Sequence, residues 1–283
     1  MPHPAMSPHH VAVITGGASG IGLAAAMRFA GLGMRVCVAD IGAERLAEAA
    51  AKLTFVAKNG AADVMTATVD VSRFEEVARL EAAVRKKFGG TDILMNNAGI
   101  GPDSTSFGPL EHWQRILNVN LWGVIHGTQA FAPGMIERGR AGLIINTGSK
   151  QGITTPPGNP AYNVSKAGVK AMTEALQHEL RNTPGCRINA HLMIPGHVFT
   201  GLTARGRSEK PPGAWTPEQT VDFMIERIDA GDFYILCPDN EVTREIDNRR
   251  IAWAAQDITE NRPALSRWHP DYKAAFDRFL NEK

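Results

Sequence analysis

Near its N-terminus the chain reads Val11-Ala12-Val13-Ile14-Thr15-Gly16-Gly17-Ala18-Ser19-Gly20-Ile21-Gly22. An apolar strand candidate here enters a glycine-rich turn, and a helical pattern begins at about Ile21. Unpaired backbone N–H groups at such a helix N-terminus carry partial positive charge and favour a pyrophosphate. Gly16 and Gly20 allow a tight turn, and Gly22 allows the helix and the phosphate to approach closely. The stretch therefore predicts a dinucleotide-binding strand–turn–helix unit.

The rest of the chain alternates short β-branched runs with longer helical patterns. Strands are predicted at residues 11–15, 35–39, 65–69, 92–95, 143–146, 187–193 and 233–236. Helices are predicted at about 21–32, 43–57, 73–88, 110–138 and 161–181. Alternation of this kind, with several continuously apolar strand cores, is typical of a parallel sheet covered by helices on both faces. We expect an α/β fold, a doubly wound (Rossmann) domain with a seven-stranded parallel sheet.

Three regions are expected along the chain. Residues 1–10 are predicted to be a disordered tail, and residues 11–240 a single dinucleotide-binding catalytic domain. Residues 241–283 are predicted to be a helical extension rich in aromatic residues. Large apolar residues can pack equally well on the same domain or on a neighbouring subunit, so both placements are open.

Composition excludes several classes of function. Of 283 residues, 43% are apolar, and 30 basic and 29 acidic residues leave a net charge of +1. This balance gives no electrostatic reason to expect nucleic acid or a membrane surface as partner. No segment has the roughly 18 apolar residues of a membrane helix. The histidines lack metal-ligand spacing, so no metal is expected. Three widely separated cysteines, Cys37, Cys186 and Cys237, suggest buried free thiols and a cytoplasmic protein.

Asp40 ends the second predicted strand, twenty residues after Gly20. A carboxylate at this point can accept hydrogen bonds from both ribose hydroxyls and would repel a 2′-phosphate. Neither residues 16–22 nor residues 41–43 contain a lysine or an arginine. NAD is therefore favoured over NADP. The alternative interpretation is a surface aspartate that caps the next helix.

Ser149, Tyr162 and Lys166 follow in one short stretch. Tyr162 and Lys166 are four residues apart in a helical pattern and therefore share a face. A tyrosine acting at neutral pH needs its pKa lowered by about three units, or about 4 kcal/mol. A nearby ammonium supplies part of this by favouring the phenolate, and the Ser149 hydroxyl can hold the reacting oxygen. Together with the glycine-rich turn, this set points to a nicotinamide-dependent oxidoreductase.

With these motifs in this order, residues 9–240 resemble the short-chain dehydrogenase/reductase family. The glycine turn matches the family's cofactor turn, and Tyr162-x-x-x-Lys166 is its signature, with Ser149 thirteen residues before the tyrosine. Further motifs of the family are matched by Asp70-Val71, Asn96-Asn97-Ala98-Gly99, Asn120 within Val119-Asn120-Leu121, and Pro195-Gly196-x-x-x-Thr200.

The resemblance implies a role for each matched residue. Tyr162 would be the general acid or base, Ser149 would polarise the substrate oxygen, and Lys166 would bind the nicotinamide ribose and lower the tyrosine pKa. Asn120 would hold a water that continues the proton path. The implied catalytic set is Asn120, Ser149, Tyr162 and Lys166. The implied cofactor-binding set is Gly16, Ser19, Gly20, Ile21, Gly22, Asp40, Asp70, Val71, Asn97, Gly99, Tyr162, Lys166, Pro195, Gly196, Val198 and Thr200.

The resemblance also implies a homodimer or homotetramer, with a dimer formed through residues 110–138 and 161–181. The C-terminal extension departs from the many members that end soon after the seventh strand, which argues against a tetramer built through that tail. The substrate pocket is expected at residues 150–159, His197 and residues 200–215, with mixed polarity.

The expected function is hydride transfer between NAD and a secondary alcohol or ketone; steroid, polyol and small cyclic alcohol remain open as substrates. One alternative is an NADPH-dependent carbonyl reductase in which a cation later in the chain outweighs Asp40. A second is a dinucleotide-sensing binding protein without turnover. A third is a sugar-nucleotide epimerase or dehydratase, although those usually carry a larger C-terminal substrate domain.

Overall fold

The computed structural model describes residues 2–204 and 206–281. Its centre is a sheet of seven parallel strands in the order 3-2-1-4-5-6-7. The strands are β1 (Val11–Thr15), β2 (Arg35–Asp40), β3 (Val64–Thr68), β4 (Ile93–Asn96), β5 (Gly142–Thr147), β6 (Ile188–Ile194) and β7 (Tyr234–Leu236). The strand order reverses between β1 and β4, and the crevice outside the carboxyl ends of such strands is where ligands bind in open α/β sheets. The predicted doubly wound fold is confirmed.

Helices cover both faces of the sheet. They are α1 (Gly20–Gly31), α2 (Ala43–Val56), α3 (Phe74–Phe88), α4 (Leu110–Leu117), α5 (Gly123–Glu137), α6 (Gln151–Thr154), α7 (Pro160–Asn182), α8 (Gly201–Ala204), α9 (Pro217–Asp229), α10 (Arg244–Thr259) and α11 (Lys273–Asn281). Short 3₁₀ turns occur at Gly60–Asp63, Ser266–Trp268 and Pro270–Tyr272. No helix in the described parts of the chain is long and apolar enough to cross a membrane.

Alternate side chains of each central strand enter different apolar layers. In β1, Ile14 lies in the layer that contains Phe29 of α1, whereas Val13 lies in the layer that contains Phe131 of α5. Both strand residues are fully buried. Burial on both faces explains why this strand is continuously apolar in sequence.

The single helix predicted at residues 110–138 is interrupted. Helix α4 ends at Leu117, a π-helical turn follows at Asn118–Trp122, and α5 begins at Gly123. The wider turn contains one more residue than an α-helical turn and directs the Asn120 side chain inward, where it is 0% exposed.

The expectation of a disordered tail is wrong for residues 2–10. Ala5 and Met6 are buried in the same apolar layer as Phe29. The backbone N–H of His3 donates to Asp229 Oδ1 at 2.8 Å, and that of His9 donates to Gly33 O at 2.9 Å. Ala5 and Met6 cover this layer beside α1. The segment was predicted to be disordered because most of its other residues are polar or proline. Met1 lies outside the described residues.

The described part of the C-terminal extension packs on the same domain. Ile251 of α10 packs against the apolar cluster that contains Leu236 of β7. Trp253 forms an edge-to-face pair with Phe276 of α11, with ring centroids 5.3 Å apart. The Trp253 indole N–H donates to Ser266 Oγ at 2.8 Å. Glu282 and Lys283 lie outside the described residues.

Candidate active site

The turn after β1 requires glycine at the positions where its backbone is left-handed or lies against neighbouring atoms. Gly16 and Gly20 have φ values of +62° and +52°. A Cβ at Gly22 would lie 2.2 Å from the Gly16 carbonyl oxygen and 2.6 Å from Asn97 Nδ2. The Asn97 amide donates to the carbonyl oxygens of Thr15 and Gly16, both at 3.2 Å. The turn is therefore held in shape from the end of β4, with the N-terminus of α1 facing the cleft.

Asp40 lies at the end of β2, beside this turn. Its Oδ1 accepts hydrogen bonds from Ile41 N at 2.8 Å and from Arg45 Nη2 at 3.2 Å. Its Oδ2 accepts one from Ala18 N at 3.3 Å. Arg45 was not predicted as a cation near Asp40, because it lies beyond residues 41–43. The spacing of five residues, which places Arg45 in the first turn of α2, could have indicated it.

Tyr162 lies in the first turn of α7. Asn159 caps this helix by accepting from Tyr162 N at 3.3 Å, and Pro160 occupies the first helical position. Asn159 Oδ1 also accepts from Ser104 Oγ at 2.5 Å, and Asn159 Nδ2 donates to Pro102 O at 2.9 Å. These contacts hold Tyr162 in place from a second chain segment. The pair Asn159-Pro160 is a recognisable helix start in sequence, one residue before the predicted start of this helix at residue 161.

The charged states of Tyr162 and Lys166 are both disfavoured by burial. Burial raises the pKa of Tyr162, and the interaction with the Ser149 side chain acts in the opposite direction. Burial lowers the pKa of Lys166 to about 8. Lys166 Nζ donates to Thr147 O at 2.7 Å and lies 5.8 Å from the centroid of the Tyr162 ring. The phenol is therefore protonated at neutral pH until further positive charge approaches it.

Asn120 is fixed by the π-helical turn and by the segment after β4. Its Oδ1 accepts from Ile100 N at 2.8 Å, and its Nδ2 donates to Ile100 O at 2.9 Å and to Ser165 Oγ at 3.2 Å. A Cβ at Gly99 would lie 3.6 Å from Asn120 Oδ1 and 3.8 Å from Lys166 Nζ. Glycine at this position therefore leaves space between the amide and the ammonium.

The segment after β6 folds back over the glycine turn. A Cβ at Gly20 would lie 3.1 Å from Thr200 Cγ2. Val198 forms an isolated bridge with Trp215, and His197 N donates to Asp239 Oδ2 at 3.2 Å. The segment thus borders the cleft on the side away from Asp40.

A cleft of about 660 Å³ joins these parts. It is lined by Gly16, Ser19, Gly20, Ile21, Asp40, Asp70, Val71, Asn97, Gly99, Ser149, Tyr162, Lys166, Pro195, Gly196, Val198 and Thr200, all members of the expected set. Gly22 and Asn120 do not line it: Gly22 lies behind the turn against Gly16 O, and Asn120 is buried. Arg45 and Ile100 line it as well and were not expected.

The expected substrate wall is only partly correct. Gly201, Leu202 and Thr203 line the cleft, but neither His197 nor any of residues 150–159 is among the described residues that do. Lys150 instead points to Asp239 and Asp247, and Ile153 packs against the apolar cluster of β7. Residue 205 of the expected 200–215 segment lies outside the described residues. Among residues 2–204 and 206–281, no group of three or more potential metal ligands occurs.

The cleft fits an extended dinucleotide. Asp40 is the last residue of β2 and Ser149 follows β5. The sheet order places β1 and β4 between these two strands. Three strand spacings separate the two ends, or about 14 Å across the sheet. The glycine turn and the start of α1 lie between them, where Gly16, Ser19, Gly20 and Ile21 line the cleft. The donors and acceptors therefore match adenosine ribose, pyrophosphate and a reactive ring, in that order along the cleft.

Comparison with known proteins agrees with this geometry. The family model for short chain dehydrogenase matches residues 10–211. A 1-deoxy-11-beta-hydroxypentalenate dehydrogenase from Streptomyces exfoliatus is 32% identical over 264 residues, 91% of this chain and 93% of that protein.

Two solved structures are similar. A short chain dehydrogenase/reductase from Burkholderia phymatum, in complex with NAD, has a TM-score of 0.80 and 31% identity, covering 91% of this chain and 96% of that one. An alcohol dehydrogenase from the archaeon Thermococcus sibiricus, complexed with 5-hydroxy-NADP, has a TM-score of 0.69 and 26% identity, covering 78% of this chain and 90% of that one. The fold, the cleft and these matches agree, and the chain belongs to the short-chain dehydrogenase family of NAD(P)-dependent oxidoreductases.

Proposed function

We propose that this enzyme transfers a hydride between NAD and a secondary alcohol or ketone, with Tyr162 as the general acid or base. The observation that carries the proposal is the arrangement of Ser149, Tyr162 and Lys166 along one cleft with the glycine turn and Asp40. A dinucleotide-sensing protein would need the turn and Asp40, but not a cleft-lining tyrosine beside a buried lysine.

In the oxidation direction, the Ser149 hydroxyl holds the substrate oxygen, and the Tyr162 phenolate takes the hydroxyl proton. A bound nicotinamide would supply the hydride acceptor, and the positive charge of its oxidised ring would favour the phenolate. The proton leaves Tyr162 by way of Lys166, whose pKa of about 8 suits proton exchange near neutrality. Gly99 leaves room for a water between Lys166 Nζ and Asn120 Oδ1. In reduction the proton moves along the same residues in reverse.

Asp40 supports NAD as the dinucleotide. Among the described residues, its Oδ2 accepts one hydrogen bond, from Ala18 N, and so retains capacity for a ribose hydroxyl. Arg45 supports a second candidate, an NADPH-dependent carbonyl reductase on the same fold. Its side chain is 55% exposed and lines the cleft, so it can turn from Asp40 toward a 2′-phosphate. The fixed carboxylate beside the ribose position favours NAD.

The surroundings of Tyr162 support an uncharged substrate. A Cβ at Gly101 would lie 3.3 Å from Leu202 Cδ1 and 3.8 Å from Tyr162 Cδ2, so an apolar side chain lies close to the phenol ring. Ile100 lines the same cleft. The similarity to a hydroxypentalenate dehydrogenase supports an alicyclic secondary alcohol as substrate.

The test is Tyr162→Phe, assayed with NAD on a panel of secondary alcohols. Because proton transfer by a positioned side chain contributes about 10²- to 10⁴-fold, we expect turnover to fall at least about a hundredfold. NADH affinity, followed by nucleotide fluorescence, should change less than about threefold, because the phenol contributes one contact of many. Full activity of the variant would contradict the role of Tyr162. Binding of NADH by the unaltered protein without turnover on any alcohol or ketone would favour the sensor.

We also propose that the chain forms a homodimer through the long helices. Trp122, in the π-helical turn, and Val164 of α7 are 49% and 48% exposed. Leu110 of α4 is exposed as well. Light scattering on the purified protein tests this, and a monomer at micromolar concentration would contradict it.

A further inference from the structure

Three charged side chains meet beneath the reactive end of the cleft. Lys150 Nζ lies 2.6 Å from Asp247 Oδ2 and 3.4 Å from Asp239 Oδ2. Their side chains are 18%, 5% and 7% exposed, respectively. Lys150 directly follows Ser149, Asp239 follows β7, and Asp247 belongs to α10. We call these three residues the Lys150 triad.

The triad contacts both segments that border the reactive end. Asp239 Oδ2 accepts from His197 N at 3.2 Å, and Lys150 N donates to Pro195 O at 3.4 Å. A Cβ at Gly196 would lie 2.6 Å from Asp239 Oδ2 and 2.9 Å from Lys150 Nζ. The triad therefore lies directly against the backbone of segment 195–200.

Asp239 is held rigidly within the triad. Its Oδ1 accepts from Val242 N at 2.8 Å and from Glu241 N at 3.1 Å. Burial favours a raised pKa for Asp239, but the Lys150 ammonium and the N–H donors of His197, Val242 and Glu241 together outweigh it and lower the pKa. Asp239 is therefore an ionised anchor that ties Lys150 to segment 195–200.

Asp247 interacts with Lys150 and also with the charge of Arg250. Burial raises the pKa of Asp247, and the contact with Lys150 acts against this rise. A buried charge that loses its partner is strongly unfavourable, so Lys150 and the two carboxylates hold one another in a single arrangement. The arrangement fixes the start of α6, where Ser149 Oγ accepts from Gln151 N at 3.2 Å.

We propose that the Lys150 triad positions Ser149 and segment 195–200 for hydride transfer, and that Asp247 makes the C-terminal extension part of the active-site scaffold. The inference rests on the proposed function, since it assigns Ser149 to the substrate and segment 195–200 to the nicotinamide end. Lys150, Asp239 and Asp247 are positioning residues, because they act through the backbone beside the cleft.

The test is Asp247→Asn, which keeps the shape of the side chain and removes its charge. Small misplacements of reacting groups reduce rates strongly, so we expect kcat to fall about tenfold or more. NADH affinity should fall several-fold, whereas affinity for ADP-ribose, which lacks nicotinamide, should stay unchanged. Asp247→Glu, which keeps the charge, should recover most of kcat.

Asp257→Asn is the matched control. Asp257 lies in the same helix, is 13% exposed, and pairs with Arg262 Nε at 3.1 Å and Ser266 Oγ at 2.5 Å, without contact to Lys150. Asp257→Asn should lower the free energy of unfolding measured by urea denaturation, while leaving kcat and both nucleotide affinities unchanged. If Asp247→Asn does not fold, Lys150→Arg, which keeps the charge but changes its reach, is measured in the same way.

Two outcomes would overturn the inference. One is unaltered kcat and unaltered NADH affinity in the triad variant, and the other is an equal loss in Asp257→Asn. If the unaltered protein itself has no turnover, the proposed function fails. The ratio of NADH to ADP-ribose affinity in the triad variant then still decides whether the triad positions segment 195–200.

Discussion

Lys166 combines a buried position with a positive charge that the proposed chemistry needs. Its pKa of about 8 lies below the ordinary 10.5, so charging it costs more in the folded protein than in the unfolded chain. The difference corresponds to about 3 kcal/mol. Because the folded-state pKa is lowered, this penalty is complete below pH 8 and disappears as the pH rises to about 10.5. Lys166 therefore lowers the stability of the fold at neutral pH.

Lys166→Met should stabilise the protein while abolishing turnover. The variant loses the hydrogen bond to Thr147 O, which offsets part of the gain, so we expect an increase in the free energy of unfolding of about 1–2 kcal/mol at pH 7. Urea denaturation should show a smaller increase at pH 10. Lys170→Met on the same helix, which removes a partly exposed pair with Glu174, should change stability by less than about 0.5 kcal/mol. Lower stability of Lys166→Met at pH 7 would contradict the assignment of a burial penalty.

Asp40 and Arg45 make a paired test of dinucleotide choice. Asp40→Ala removes the proposed ribose acceptor and should weaken NADH binding about tenfold, because a charged hydrogen bond contributes about 1.5–3 kcal/mol. Arg45→Ala should change NADH affinity less than about threefold, because Asp40 keeps its three backbone N–H donors. Fluorescence titration of both variants with NADH and NADPH measures this. Tighter binding of NADPH than of NADH by the unaltered protein would favour the reductase alternative.

Two of the glycines in helix α1, Gly22 and Gly31, have opposite surroundings. At Gly22 a Cβ would clash with the carbonyl oxygen of Gly16, whereas at Gly31 a Cβ would meet nothing within 4 Å. Gly22→Ala should therefore lower the free energy of unfolding by about 1–3 kcal/mol and disrupt NADH binding, because the backbone of the turn must move. Gly31→Ala should leave NADH binding unchanged and raise stability by up to about 1 kcal/mol. Urea denaturation and NADH titration check both variants. Normal NADH binding by Gly22→Ala would contradict the inference that the turn requires glycine at this position.

The elements differ in how far sequence could predict them. Strand β1 has the predicted bounds, because its apolar residues run unbroken into the turn. Helix α9 was not predicted, although Thr216 and Gln219 form a reciprocal capping box and Pro217 occupies the first helical position. These signals follow an irregular segment rich in glycine and proline, which concealed them. The π-helical turn has no such local signature. It is stabilised by contacts of Asn120 with Ile100 and Ser165, which are distant in sequence.

At the scale of the whole molecule, the N-terminal residues are part of the apolar core. Deletion of residues 1–9 removes buried Ala5 and Met6 and the hydrogen bond from His3 N to Asp229. We expect the free energy of unfolding to fall by about 2–4 kcal/mol, from lost apolar burial and exposed partner surface. The cleft is not lined by these residues, so NADH affinity should stay unchanged.

Urea denaturation and NADH titration of the truncated protein check this expectation. Deletion of residues 1–2 alone is the control and should leave stability near that of the full chain. Equal stability of the full chain and the longer truncation would contradict a structural role for Ala5 and Met6.

Contacts between residues far apart in the chain could not be predicted from the sequence. The glycine turn, Asp40 and the tyrosine–lysine spacing are local patterns with a local physical meaning, and each lies in the cleft. By contrast, Asn97 donates a hydrogen bond to Thr15 O, 82 residues away in the sequence. Lys150 donates one to Asp239, 89 residues away. Lys150 was expected to face the substrate, because nothing nearby in sequence indicated its acidic partners. Such pairs are determined by the sheet order and by the docking of α10.

The π-helical turn at Asn118–Trp122 makes the path from α4 to α5 sensitive to chain length rather than to residue type. One residue corresponds to a rotation of about 100° around a helix axis. Removing a single residue from the turn would convert α4 and α5 into one regular helix. Either Asn120 or all of α5 would then be rotated around the helix axis, away from its present neighbours. Gly123 and Gly127, which pack against Val71 and Asn96, would then face the wrong neighbours. A deletion of one codon in this stretch should therefore be far more damaging than a substitution at the exposed Trp122.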